Sequence, residues 1–279
     1  MSTLIPGLYI VSTPIGNLDD ITLRSIEILK QSDILLCEDT RRSFKLLKHF
    51  NIKKKLVSYH KFNEKKELHK AIQYLNEGKI LSLISDAGTP VLSDPGNLLI
   101  NKCIEENIQI FPIPGPSAIT AATSISGFED KFLFYGFLPK TEKDLEKKLS
   151  SLKEIDFTIV FFISGIKINF YLKSFKKFFS GRHILIAREI SKIHETFYRE
   201  SIDNIKFFTS SLKGELTVVV SKKISKSDSL DISYIKKQAK NYLEKYSLKE
   251  VVELISKKEK ISKNKIYKIC LNIKKNEKN

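Results

Sequence analysis

A chain of 279 residues, 42% of them hydrophobic and 29% charged, has the balance of a folded globular protein with one large core or two modest ones. Its longest apolar runs, at 157–163 and 216–220, are too short to span a bilayer, which excludes a membrane-spanning class. The formal net charge of +16 comes almost wholly from lysine, since only six of the 48 basic residues are arginine.

In chain order, the first half alternates short apolar runs with amphipathic stretches. Strands are expected at 8–11, 34–37, 56–59, 80–85 and 108–113, and helices at 20–31, 41–49, 64–77 and 96–106. Within 64–77, Leu68, Ala71, Ile72 and Leu75 recur three or four apart and give that helix one apolar face. Strands separated by helices of this length imply right-handed crossovers and a mostly parallel sheet. A further helix is expected to start near Ser117. The stretch 127–140, with Gly127, Gly136 and Pro139, reads as a boundary or crossing segment. Beyond it, strands are expected at 157–163, 183–189, 194–198 and 215–221, with helices at 142–151 and 166–178. The phenylalanines of 157–179 read as core packing rather than a base-stacking platform.

The tail reads as a separate helical module. Ile235, Ala239 and Tyr242 share a face, Ser247 and Glu250 have capping-box spacing, and Ile266, Ile269 and Cys270 mark the buried side of a last helix. The expected division is 1–126, an α/β domain with a mostly parallel sheet; 127–228, a second α/β domain; and 229–279, a basic helical extension. From Lys222 to the end there are 17 lysines against seven acidic residues, which either attract a phosphate backbone or simply keep the tail solvated. Three scattered cysteines, Cys37, Cys103 and Cys270, make no disulfide or metal pattern. No signal-peptide pattern precedes the first expected strand, so a cytoplasmic setting is expected.

Three glycine-proline loops carry the strongest chemical signal. The segment 85–90 (SDAGTP), followed by Asp94-Pro95-Gly96, comes directly after an apolar strand, where a carboxylate faces the crevice at the carboxyl end of a parallel sheet. The competing account of Asp86 is an Asx turn that bonds only its own backbone. The loops 13–17 and 112–117 follow two other strands of the same expected sheet. None matches a dinucleotide fingerprint or a nucleoside-triphosphate loop, and there is no HExxH, CxxC or GxSxG. Near these loops, Glu38, Asp39 and Arg41 follow the second strand, and His60 and Glu64 follow the third. Asn63 and Glu64 serve equally well as helix-capping residues.

Taken together, TPIGNLDDIT (13–22), CEDTRR (37–42), HKFNE (60–64), SDAGTPVLSDPG (85–96), PIPGPSA (112–118), AREISKIHET (187–196) and KGE (213–215) resemble the tetrapyrrole (corrin/porphyrin) methylase superfamily. The resemblance is to its branch acting on a cytidine 2′-hydroxyl of 16S rRNA. It covers the chain from about Leu8 onward and implies two α/β domains with a cofactor cleft between them, plus a C-terminal helical extension. The implied cofactor is S-adenosylmethionine. The implied cofactor-binding residues are Asp86, Ala87, Gly88, Thr89, Pro114, Gly115 and Ser117, with Arg188, Glu189 and Glu215 from the second domain. The implied partners are 16S rRNA, within the small ribosomal subunit, and a second copy of the chain, with no membrane. For proton removal the candidates are Asp39, Glu38, Glu64 and His60, with Asp39 first and Arg41 holding RNA phosphate. A corrin-precursor methylase and a non-enzymatic rRNA-binding descendant are the alternatives. The second is suggested by one departure from the pattern: Ile163, Ile166 and Lys167 stand where the branch usually has glutamate, histidine and arginine. That departure implies a retained fold with altered catalysis.

Overall fold

The computed structural model describes residues 4–223, 232–259 and 262–276. Residues Met1–Lys223 form one compact unit and Ile224–Asn279 a second. Five strands, β1 (Gly7–Val11), β2 (Ile34–Cys37), β3 (Lys55–Ser58), β4 (Ile80–Ile84) and β5 (Ile110–Ile113), form a sheet in the order β3-β2-β4-β1-β5. Every pairing in it is parallel, as crossover connections of this length require.

Alternate strand residues face opposite layers of helix. Leu8, Ile34, Leu36, Leu81 and Leu83 pack with α3 (Glu64–Asn76) and α4 (Asn97–Glu105), through Ala71, Ile72, Leu75, Leu99 and Cys103. Tyr9, Val11, Leu35, Cys37 and Ile84 pack on the other face with α1 (Leu23–Gln31) and α2 (Thr40–His49), through Ile28, Leu29 and Leu47. The first helix is shorter than its apolar pattern suggested. Leu18–Asp20 makes a separate 3₁₀ turn, and the Thr22 hydroxyl accepts the Ser25 N–H at 3.0 Å, restarting the helix there.

The stretch 127–140 contains a strand that its glycine and proline concealed. β6 (Phe132–Phe137) carries Gly136 at φ 83°, where the pairing register shifts, so the residue that reads as a breaker sits in a bulge. β6 joins β7 (Thr158–Ser164), β8 (His183–Arg188), β9 (Thr196–Ser201) and β10 (Glu215–Val220) in a sheet ordered β6-β7-β10-β8-β9. Only β6 and β7 run parallel; the other pairs are antiparallel. One face is covered by α6 (Glu142–Leu152) and α7 (Ile168–Phe178). There the rings of Phe161, Phe175 and Phe179 lie 5.5 to 6.2 Å apart, buried in the core as expected, whereas Phe157 is exposed and Phe162 lines the cavity described below. The opposite face packs on α5 (Ala118–Ser124) through Ile119 and Ala122 against Val160, Leu185, Ala187 and Val219. A helix that follows the first sheet thus helps to cover the second.

The C-terminal unit contains α8 (Ile232–Leu243), α9 (Leu248–Glu259) and α10 (Lys263–Asn276). Its core joins Ile235, Ala239, Val251, Val252, Ile255, Ile266 and Cys270. The capping box is formed: Ser247 N–H donates to the Glu250 carboxylate at 2.8 Å, and Glu250 N–H donates to the Ser247 hydroxyl at 3.4 Å.

Candidate active site

The loops after β1, β4 and β5 meet at the carboxyl edge of the first sheet, and hydrogen bonds stitch them together. Thr13 and Gly88 exchange backbone bonds in both directions, at 2.9 and 3.0 Å. The Ser12 and Thr89 hydroxyls are 3.1 Å apart, and Thr89 also donates to the Pro116 carbonyl at 3.3 Å. Gly88 has φ +84°, and a Cβ there would stand 3.2 Å from Ile15, so both its conformation and the closeness of the first loop favour glycine.

Between these loops and the near ends of β7, β8 and β10 lies a cavity of about 500 Å³. Its walls are of two kinds. Ile15, Leu92, Ile119, Phe137, Phe162, Ile163 and Leu216 supply apolar surface, while Glu38, Asp86, Asp94, Glu189 and Glu215 supply carboxylates, with Arg42 and Lys192 as cations. That mixture of apolar wall and a few placed polar groups suits a small charged ligand with a flat apolar part.

The carboxylates of the first sheet crowd each other. Burial, with the charges of Glu38 and Asp86 nearby, pushes the Asp94 carboxyl up to about 6. Burial and Asp86 also raise Glu38. Asp86 is itself held from two sides: it accepts the Asp39 backbone N–H at 3.2 Å and pairs with Arg42 at 3.3 Å. The loop carrying Asp94 is strained, with Val91 and Ser93 at φ 74° and 72°. A β-branched residue in the left-handed region is costly, and such strain gathers at functional sites.

The second sheet contributes a charged corner. Lys192 reaches Glu189 and Glu215, each at 3.0 Å, and the Glu215 N–H donates to the Glu189 carboxylate at 2.8 Å. Burial opposes the Glu189 charge, but these partners outweigh it and keep its carboxyl below the ordinary value. Gly214 sits at φ +100°, and a Cβ there would lie 2.5 Å from the Glu189 carboxyl carbon, so glycine is what lets that carboxylate tuck in. Ser191 donates to Asp20, and a Cβ on Gly16 would meet Lys192 at 2.5 Å; the loop after β1 therefore rests against the turn after β8.

Of the residues singled out from sequence, Glu38, Asp86, Ala87, Gly88, Thr89, Ser117, Glu189 and Glu215 line this cavity. Pro114, Gly115 and Arg188 do not. Gly115 packs on Ser12, where a Cβ would stand at 2.8 Å, and Arg188 donates to the carbonyls of Lys213 and His194. Asp39, Arg41, His60 and Glu64 are also outside the lining. Asp39 caps α2: its carboxylate accepts the Arg41 backbone N–H at 2.8 Å and two guanidinium bonds at 3.1 and 2.7 Å. The Arg41 bonds hold that carboxyl well below the usual range, the opposite of what a general base needs. Asn63 occupies the cap of α3 without bonding its N–H groups; its side chain accepts the His60 N–H at 2.7 Å instead. Ser117 likewise stands at the cap of α5 without a side-chain bond. Asp94, Arg42 and Lys192 reach the site with no role read for them beforehand. Asp94 stood in a recognised segment, but only the fold reveals its crowding by Glu38 and Asp86.

Among the described residues, no group of three histidine, cysteine or acidic side chains could hold a metal ion. None of the described helices is long and apolar enough to cross a membrane.

Comparison with known proteins gives the family. Residues 7–206 match the family described as Tetrapyrrole (Corrin/Porphyrin) Methylases. A Thermotoga maritima protein named Ribosomal RNA small subunit methyltransferase I is 43% identical over 219 residues, covering 77% of this chain and 98% of that one. A protein of the same name from Buchnera aphidicola subsp. Acyrthosiphon pisum is 39% identical over 271 residues, covering 95% of this chain and 96% of that one. A structure titled uroporphyrin-III C-methyl transferase from Thermus thermophilus, complexed with S-adenyl homocysteine, superposes with a TM-score of 0.54 at 12% identity. It covers 77% of this chain and 97% of that one, a likeness of fold. On these matches the chain belongs to the tetrapyrrole (corrin/porphyrin) methylases, in the branch of the ribosomal RNA small subunit methyltransferases I.

Proposed function

We propose that this chain transfers a methyl group from S-adenosylmethionine to the ribose 2′-hydroxyl of a cytidine in 16S rRNA, acting in the cytoplasm as a homodimer on the small ribosomal subunit. The observation that carries this reading is the cavity between the two sheets, in a chain whose relatives are named for small-subunit rRNA methylation. Its residues suit the cofactor. The apolar wall of Phe162, Ile163 and Leu216 accommodates a flat base, and the crowded Glu38, Asp86 and Asp94 leave negative charge that a sulfonium would relieve.

When bound, the cofactor supplies a methyl group already activated by positive sulfur. The protein's work is then alignment and proton removal. Loops tied together at Thr13, Gly88 and Thr89 hold the first sheet's wall in place, and placement of this kind is worth on the order of 7–11 kcal/mol in well-oriented systems. Glu38 and Asp94 are the carboxylates on that wall whose proton affinity is raised, so either is suited to accept the hydroxyl proton near neutral pH. Arg42, paired with Asp86 and 66% exposed on its side chain, stands at the mouth where a substrate phosphate would arrive. Ile163, which replaces the branch's usual glutamate, is buried in the second sheet's core and adds apolar wall.

The test is purified full-length protein with methyl-labelled S-adenosylmethionine and small subunits lacking the modification. Label on one cytidine ribose is the expected result. Folded, cofactor-binding protein that transfers no label would overturn the activity. Light scattering at working concentration checks the dimer.

A further inference from the structure

The inference rests on the reading above and concerns where the RNA lies. A long polyanion entering the cavity needs positive surface beside its mouth, and the lysine-rich tail is not the densest source of it. From Thr40 to Asn63, 24 residues hold eight lysines and arginines and no acidic residue. This segment comprises α2, edge strand β3 and the turn at 59–63. It leaves the first sheet beside Glu38 and Arg42, both of which line the cavity.

Part of this charge is used internally, Arg41 by Asp39, Arg42 by Asp86 and Lys55 by the Tyr74 hydroxyl, and the rest is displayed. Arg41, Lys45 and Lys48 fall at i, i+4 and i+7 on α2, one stripe about 10 Å long at ~1.5 Å per residue. Arg41 is bound to Asp39, whereas Lys45 and Lys48 have no acidic partner among the described residues. With Phe44, 59% exposed, and Leu56 of β3, they line a shallow groove. At the carboxyl end of β3, Phe62 is 94% exposed, between exposed Lys61 and the Asn63 that fastens the turn by accepting the His60 N–H. An aromatic ring held out on a bonded turn next to a lysine is an arrangement that takes an unstacked base. The Thermotoga relative gives independent support. This chain matches 98% of it with only 77% of its own residues, leaving about a quarter without a counterpart, more than the span of the C-terminal unit. A relative named for the same substrate is thus a shorter chain than this one.

We propose that α2 and the 59–63 turn form the docking track for a single-stranded segment of rRNA. Lys45, Lys48 and Lys61 meet its phosphates, and Phe62 stacks on a base next to the nucleotide that enters the cavity.

The experiment measures binding of unmethylated small subunits by full-length protein across a salt series, with S-adenosylmethionine titrated in parallel. Lys45→Glu/Lys48→Glu is expected to weaken subunit binding tenfold or more at ~0.1 M salt and to flatten the slope of log affinity against log salt by roughly one to two. Phe62→Ala, which leaves charge untouched, is expected to weaken binding about fivefold or more with the salt slope unchanged. Cofactor affinity stays within twofold of wild type in both. A matched reversal on the tail, Lys257→Glu/Lys258→Glu, is expected to have the smaller effect. Wild-type affinity and salt slope in both track variants would overturn the proposal, and so would an equal loss in the tail variant, because bulk charge would then suffice. Since the readout is binding, wild-type protein that bound subunits without methylating them would count against the proposed activity alone.

Discussion

Asp94 is the residue whose environment says most about the cavity. Its carboxyl is pushed up to about 6 by burial and by Glu38 and Asp86, so the folded chain holds a proton there that the unfolded chain gives up near pH 3.9. The sign follows from linkage: stability drawn from Asp94 is full below the unfolded value and is lost as pH rises through about 6. Asp94→Asn is therefore expected to gain stability relative to wild type between pH 4 and 7, read from melting temperatures across that range. A cation in the cavity reverses the balance. Cofactor affinity of wild type is expected to fall as pH drops through about 6, and that of the variant to be weaker at pH 7.5 and nearly flat; parallel curves would remove Asp94 from the cofactor's surroundings. Asp39 offers the contrast. Asparagine is also a good helix cap, so Asp39→Asn is expected to keep turnover within a few-fold, whereas Asp39→Ala is expected to lower the midpoint of a denaturant titration. At this scale the sequence showed which segments meet, because glycine, proline and aspartate after an apolar strand have few other uses. It did not show which carboxylate of the Glu38-Asp39 pair faces inward, because that depends on where α2 begins.

The elements were legible wherever the apolar period was clean. Strands β2 and β7 and helix α3 lie within a residue or two of their expected bounds, since a short unbroken apolar run or three-and-four spacing leaves little freedom. β6 was missed because Gly136 and Pro139 signal a break, and only a neighbouring strand can turn such a break into a bulge. The corner between β8 and β10 was legible only in part, Glu189 and Glu215 through the resemblance and Lys192 not at all, because Glu189, Lys192 and Gly214 touch only after the antiparallel pairing of β8 with β10 is made. Gly214→Ala tests that corner. Its Cβ would displace the Glu189 carboxylate from a backbone at φ +100°, so a loss of roughly 1–3 kcal/mol is expected, with weaker cofactor binding. Ile163→Ala on β7 removes buried side chain from core and cavity wall together, and a loss of about 2–4 kcal/mol in urea unfolding is expected.

For the whole molecule, the C-terminal unit is a separate compact body with its own apolar core. A chain ending after Lys223 is expected to keep cofactor binding and methyl transfer, and to bind subunits with a salt slope lowered by no more than about two. Complete loss of subunit binding on truncation would return the tail to the centre of recognition. The existence of this unit was readable from its helical spacing and capping box. Its weight in RNA binding was not, because a count of lysines says nothing about how near they stand to a cavity.

The place of β1 has a consequence for how the chain acquires its shape. Although it is the first strand made, its neighbours are β4 and β5, which lie some 70 and 100 residues further along. The strand that carries the Ser12 and Thr13 end of the cleft must therefore wait, unpaired, until β4 has been made. Pairings between such distant segments close slowly, and an apolar strand kept waiting is exposed to sticking elsewhere. During synthesis β2, β3 and β4 can assemble first and leave an open slot beside β4. The loop contacts between Thr13 and Gly88 then form only as β1 takes its place beside β4, so maturation of the cleft coincides with insertion of the amino terminus into the first sheet.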